Sequence, residues 1–209
     1  MKYIRYTFVD ARTNTPVSEA PAKNGPVHPE GVVPTFAIES TYSTGVPAFY
    51  GIAEDDFEPA AWMYEMPEEQ FYSDFRLELK ERARSKRKQV EQGGVSLGDS
   101  RIDTTIESQN RVANLVTTLN LDPEMLGIDF EASPGVWVEI DRDTAFAMGT
   151  VVARHVQGCF SWCKSIHAKI DAMDDFDKAL EVVTEINAFG QAAQEVTPDE
   201  VVTPEEVAE

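Results

Sequence analysis

Between Ala145 and Met173 apolar or small residues recur at steps of four and three without a break: Ala145, Gly149, Val152, Val156, Cys159, Cys163, Ile166, Ile170 and Met173. A strand would scatter these positions over both of its faces, whereas a helix stacks them into one seam with the a/d register of a heptad repeat. The segment therefore predicts a helix capped by Asp141 or Asp143 and running to about Met173, roughly 45 Å at 1.5 Å per residue. Phe146, Val151, Phe160 and Trp162 fall off the seam, so this helix is expected to be covered on two sides. Asp174-Asp175 interrupts the pattern and is expected to cap a second helix. Phe176, Leu180, Val183 and Ile186 give it a matching face, and Gly190 ends it. The seam suits an antiparallel helical hairpin inside one chain, or a bundle between chains. For the second case the candidate interface is Val152, Val156, Cys159, Cys163, Ile166, Ile170 and Met173. Isoleucine at both a and d positions, Ile166 and Ile170, then leans toward a homo-oligomer of three or more strands, such as a trimer.

The remainder is mixed, which makes the expected fold class α+β. Residues 1–60 form a small β-rich unit. Tyr3, Arg5, Thr7 and Val9 alternate with Ile4, Tyr6 and Phe8 as one strand, and Arg12-Thr13-Asn14-Thr15-Pro16 reads as a turn. Further strands are expected at Thr35–Glu39 and Ala48–Ile52, while prolines from Pro26 to Pro34 keep that stretch from being a central strand. Residues 61–92 form a charged connecting helix, opened by Met66-Pro67-Glu68-Glu69 and carrying Phe71, Phe75 and Leu79 at every fourth place. Gly93-Gly94 suits its left-handed C-cap. Residues 93–190 form an α+β domain, with strands at Val95–Leu97, Ile128–Phe130 and Val136–Ile140. A helix between them carries Ile106, Val112, Leu115, Val116 and Leu119. Residues 191–209 hold six acidic and no basic residues and read as an acidic tail.

A net charge of −19 over 209 residues opposes binding to phosphates or anionic lipid, so no nucleic acid partner is expected. No run approaches the roughly 20 apolar residues a bilayer crossing needs, so no membrane insertion is expected. Cys159 and Cys163, four apart on a helix, cannot pair comfortably with each other, and reduced thiols are expected.

The best constellation for chemistry is His155, Cys159, Cys163 and His167, each four residues from the next. The outer pair would be about 18 Å apart along a helix, too far for one zinc whose ligands all lie near 2 Å. Thiols filling an apolar seam, with histidines at its border, is the favoured reading. Glu139, Asp141 and Asp143 resemble a cation site but sit where a strand meets a helix, and capping explains them. Lys80, Arg82, Arg84, Lys86, Arg87 and Lys88 place six of the chain's 18 basic residues within nine positions. No stacking aromatics are interleaved with them, and an acidic segment is the better-matched partner. No catalytic, cofactor-binding or metal-binding residue is assigned, no cofactor is expected, and the chain is not expected to be an enzyme.

At Gly93-Gly94-Val95, Arg101-Ile102-Asp103-Thr104, Val136-Trp137-Val138-Glu139-Ile140-Asp141 and His155-Val156-Gln157-Gly158-Cys159-Phe160, the chain resembles a known family. These are the C-terminal domains of unknown function in tailed-phage tail, tail-fibre and fibre-assembly proteins. The resemblance covers about residues 80–188. It implies a bacteriophage virion structural protein, a tail, tail-fibre or tail-tip component that works through protein–protein interaction. The partners would be other virion proteins, and the place the virion tail, with the host cytoplasm during assembly. The alternative it implies is a tail-fibre assembly chaperone that leaves before the virion is complete. The family supplies no catalytic residues to carry over.

Overall fold

The computed structural model describes residues 1–7, 28–38, 48–98, 100–133, 136–173 and 176–191. The expected turn at Arg12–Pro16, the extension of the first strand to Val9, the Asp174-Asp175 cap and the acidic stretch from residue 192 onward lie outside them. The α+β class holds. The chain divides into two compact units, Met1–Glu81 and Arg82–Glu209.

The first unit is a four-stranded antiparallel sheet in the order β2-β3-β1-β4, from β1 (Lys2–Tyr6), β2 (Val33–Ile38), β3 (Ala48–Ala53) and β4 (Tyr64–Met66). Strand β2, which opens at Val33-Pro34, lies on the edge, as its proline requires. Alternation along β1 assigns the two faces. Ile4 and Tyr6 pack with Val32, Phe49 and Ala53, beneath Phe57, Trp62 and Met63. On the other face Tyr3, Phe36 and Tyr50 meet the first turns of α1 (Glu68–Glu91), with Phe36 stacked on Tyr50 at 4.2 Å and on Phe75 at 4.6 Å. Phe71, Phe75 and Leu79 are buried, as their spacing of four predicts. Gly51 is obligatory at the centre of β3, because a Cβ there would stand 2.4 Å from Val32 Cγ1 and 2.7 Å from the Val33 carbonyl. Residues 61–92 contribute to both units, since the division falls inside α1.

The second unit begins with the last turns of α1. It continues through the hairpin β5 (Val95–Leu97) and β6 (Ser100–Ile102), then α2 (Ile106–Leu121), the hairpin β7 (Gly127–Ser133) and β8 (Val136–Asp141), α3 (Arg142–Asp171) and α4 (Phe176–Ala188). Val112, Leu115 and Leu119 of α2 pack against Ala145, Met148 and Val152 of α3 and against Ile140. The helices approach closely because Gly149 has no side chain: a Cβ there would lie 2.7 Å from Val116 Cγ2. Two expectations need correction. Ile106 is exposed, because it is the first residue of α2 and precedes the packed turns. The buried face of α4 is Ala179, Val182 and Ile186, with Leu180 51% exposed, so the apolar stripe is rotated from the one expected through Leu180 and Val183.

Candidate interaction surface

The heptad seam faces inward. Val152, Cys159, Cys163, Ile166, Ile170 and Met173 are buried within the chain, and Val156 is half-buried beside the α2–α3 core. Elements α2, α4, β5 and β8 pack on α3. Asp141 caps α3, its Oδ1 accepting the Thr144 N–H at 2.7 Å. The Thr144 hydroxyl first, and then this N–H, hold the Asp141 carboxyl below the usual carboxylate range. Of the off-seam aromatics, Trp162 stacks on Phe189 at 3.7 Å, and Phe160 lies under the Arg87 guanidinium, 4.2 Å from the ring centre.

The helix that carries His155, Cys159, Cys163 and His167 does not gather them into one site. His155 Nε2 lies 3.1 Å from the Val90 carbonyl and 3.2 Å from that of Glu91, so it donates to the last turn of α1. Cys163 Sγ and His167 Nε2 are 3.7 Å apart, one turn from each other. Burial pushes the Cys159 thiol up, and the Glu91 carboxylate adds to the rise. Among the described residues no three His, Cys, Asp or Glu are placed to hold a metal.

The end of α1 gathers several polar contacts of the second unit. Thr104, fully buried, donates its hydroxyl to the Glu91 carbonyl at 2.5 Å and accepts the Gly94 N–H at 2.8 Å. Arg101 donates to the Gly93 carbonyl, and Arg87 pairs with Glu91. Gly94 takes φ +87°, the left-handed C-cap that Gly93-Gly94 predicts. Gly190, at φ +79°, abuts Val90, whose Cγ2 a Cβ would meet at 2.4 Å. This point joins α1, β6, α3 and the end of α4.

Two concavities flank α2. One, about 660 Å³, runs along α2 and α3 past Val116, Gly149 and Val156. The other, about 880 Å³, lies between the hairpins, over Val112 and Met148, with Arg101, Asp103, Arg111 and Glu139 among its lining residues. Three of these charges, Arg101, Asp103 and Arg111, are already engaged. Asp103 accepts from Ser108 and from Thr105 at 2.7 Å, bonds that lower its carboxyl, and Arg111 pairs with Glu107 at 2.6 Å.

Outward-facing apolar side chains mark a different surface. Along the β7–β8 hairpin Phe130 pairs with Val138 and Ile128 with Ile140 on the core face, which turns Trp137 outward, 65% exposed. Asp129 and Glu139 pair on that same outer face. Leu121 and Leu126, between α2 and β7, are each 80% exposed. Sequence reasoning located the tryptophan strand but missed that its tryptophan points out. The β alternation around Ile140 would have shown it. Thr104 was missed too, since nothing in a sequence marks a threonine as the partner of a distant helix end. Among the described residues, no helix is long and apolar enough to cross a membrane.

No curated protein and no solved structure matches the chain. A family described as "Domain of unknown function (DUF4376)" matches residues 74–195, more than half of the chain and the whole span that carries the Thr104 junction, the seam and the exposed hairpin face. The chain belongs to the DUF4376 family.

Proposed function

We propose that the protein is a structural component of a tailed-phage virion, in the tail, tail fibre or tail tip, acting by protein–protein contact through the outer face of the β7–β8 hairpin. The observation that carries the contact role is Trp137. A large indole left in water, on a two-stranded sheet whose other face gives Ile128, Phe130 and Ile140 to the core, is a residue type strongly enriched at the centres of protein interfaces. The virion assignment rests on the resemblance of the Gly-Gly, Arg-Ile-Asp-Thr, tryptophan-strand and His-Val-Gln segments. The inward seam favours an oligomer, where one forms, built through surfaces other than the heptad positions. Quantitative mass spectrometry of purified particles tests this, with the protein expected at a fixed copy number per particle. Its absence from particles overturns the reading.

The acidic composition of residues 191–209 favours a second reading, a fibre-assembly chaperone that is released. In that case co-expression raises the yield of soluble assembled fibre while purified particles lack the protein.

A further inference from the structure

The concavity along α2 and α3, about 660 Å³, is lined without a single Asp, Glu, Lys or Arg, in a chain that is 26% charged with a net charge of −19. Its exposed rim is Ala113 and Thr117 on α2 and Thr150, Ala153 and Gln157 on α3, spaced at three and four residues and so aligned along one face of each helix. Between the two rims Gly149 lies against Val116. The two charged residues of α2, Glu107 and Arg111, pair with each other outside this lining. The polar groups of the groove also have partners inside the chain. Gln109 Nε2 donates to the Thr104 carbonyl at 2.8 Å, the Thr117 hydroxyl to the Ala113 carbonyl at 2.8 Å, and Gln157 Nε2 to the Ser161 hydroxyl at 3.3 Å. Covering this face leaves those bonds in place, which lowers the cost of taking it out of water.

We propose that this groove is an isologous contact with a second copy of the chain, α2 and α3 of one copy packing on α2 and α3 of the other across a two-fold axis. The argument is one of charge. In a contact between identical faces, a charge near the axis meets its own copy, so a self-contact has to keep its centre free of charge. A contact with a different protein carries no such requirement, and on a chain this acidic it would gain from offering carboxylates to a basic partner. Small side chains at Ala113, Thr117, Thr150 and Ala153 let the helices of a second copy approach at the about 8–10 Å of ordinary helix packing. From Phe146 to Gln157 the groove follows about 16 Å of two helices each about 10 Å wide, less than the about 800 Å² per partner of a standard interface. The dimer is therefore weak and depends on concentration. Because each copy carries a net charge of −19, their mutual repulsion opposes it at low salt, and screening strengthens the association. A contact made by opposite charges would weaken instead. This inference depends neither on the virion assignment nor on the Trp137 face.

Sedimentation velocity of the full chain tests it, over about 20 µM to about 1 mM protein and in about 0.05 M and about 0.5 M NaCl. The expected result is a shift from monomer toward dimer with concentration, larger at the higher salt. Ala153→Glu, at a position exposed in the single chain, should keep the helix circular dichroism signal and lower the association constant by about tenfold or more. Thr150→Lys should weaken the dimer likewise, although it reduces the net negative charge, which separates a charge in the groove from overall repulsion. Ala188→Glu adds the same charge as Ala153→Glu at the exposed end of α4 and should associate like the parent, as should Trp137→Ala. A parent that stays monomeric at the highest concentration and salt overturns the proposal and leaves the groove to a different protein. A dimer unchanged by both groove substitutions, or one abolished by Trp137→Ala, overturns it by placing the contact elsewhere.

Discussion

Replacing Thr104 by valine keeps the shape of a fully buried side chain and removes the hydroxyl that fastens β6 to the end of α1. Two bonds are lost, but their consequences differ. The Glu91 carbonyl keeps His155 Nε2 at 3.2 Å, so this acceptor stays partnered. The part-buried Gly94 N–H loses its Thr104 acceptor, about 1 kcal/mol at the low end of the range for an unsatisfied donor, and the lost bond to the Glu91 carbonyl costs about 1 kcal/mol more. The expected loss for Thr104→Val is about 2 kcal/mol. Thr104→Ser retains the hydroxyl and gives up one buried methyl group, about 1 kcal/mol. Urea unfolding followed by helix circular dichroism reads both. With a slope of about 2–3 kcal/mol/M, the valine variant should shift the midpoint by about 0.7–1 M and the serine variant by about half as much. A valine variant as stable as the parent, or a serine variant no better than valine, would refute the claim that the hydroxyl is what ties the junction.

The seam gives a harsher test. Ile166, with no exposed surface, becomes an uncompensated buried charge in Ile166→Asp and should unfold the second unit, seen as loss of helix signal, while Ile166→Ala costs about 2–5 kcal/mol. A folded Ile166→Asp protein of smaller oligomeric state, by light scattering, would return the seam to the intermolecular reading. The Asp141 carboxyl is depressed by the Thr144 hydroxyl and then by its capping bond to the Thr144 N–H, so its contribution is present above the ordinary aspartate range and is lost as pH falls through about 4 and below. Asp141→Asn should therefore flatten the acid limb of the stability curve, and an unchanged limb would contradict the assignment. Because burial raises the Cys159 thiol, its alkylation by iodoacetamide at neutral pH should run well below the rate of an exposed cysteine until urea unfolds the chain. Rapid labelling of the folded protein would contradict that.

How far the sequence could be read follows from which signals are local. The step of four in Phe71, Phe75 and Leu79 and the heptad steps of α3 are repeated many times over, and both helices lie where that repetition places them. The three-residue strands Tyr64–Met66 and Ser100–Ile102 repeat nothing and were not anticipated, although Gly98-Asp99 between Leu97 and Ser100 is a hairpin signal. The rotated face of α4 has a tertiary cause. Ala179 is small enough to sit against its neighbours, whereas hydrophobicity alone ranked Leu180 above it. The polar constellation on α3 was legible as a spacing but not as partners, since His155 serves the carbonyls of a helix more than 60 residues earlier. The junction at Thr104 and the outward Trp137 depend on which elements meet, and only the folded chain shows that.

The contact role of the β7–β8 hairpin is tested most directly by counting copies in assembled particles for the parent and for Trp137→Ala. The indole is mostly in water, so the variant should remain folded, within about 0.5 kcal/mol of the parent. The account predicts a fixed copy number for the parent and a depleted one for the folded variant. Equal incorporation of the two proteins would contradict it.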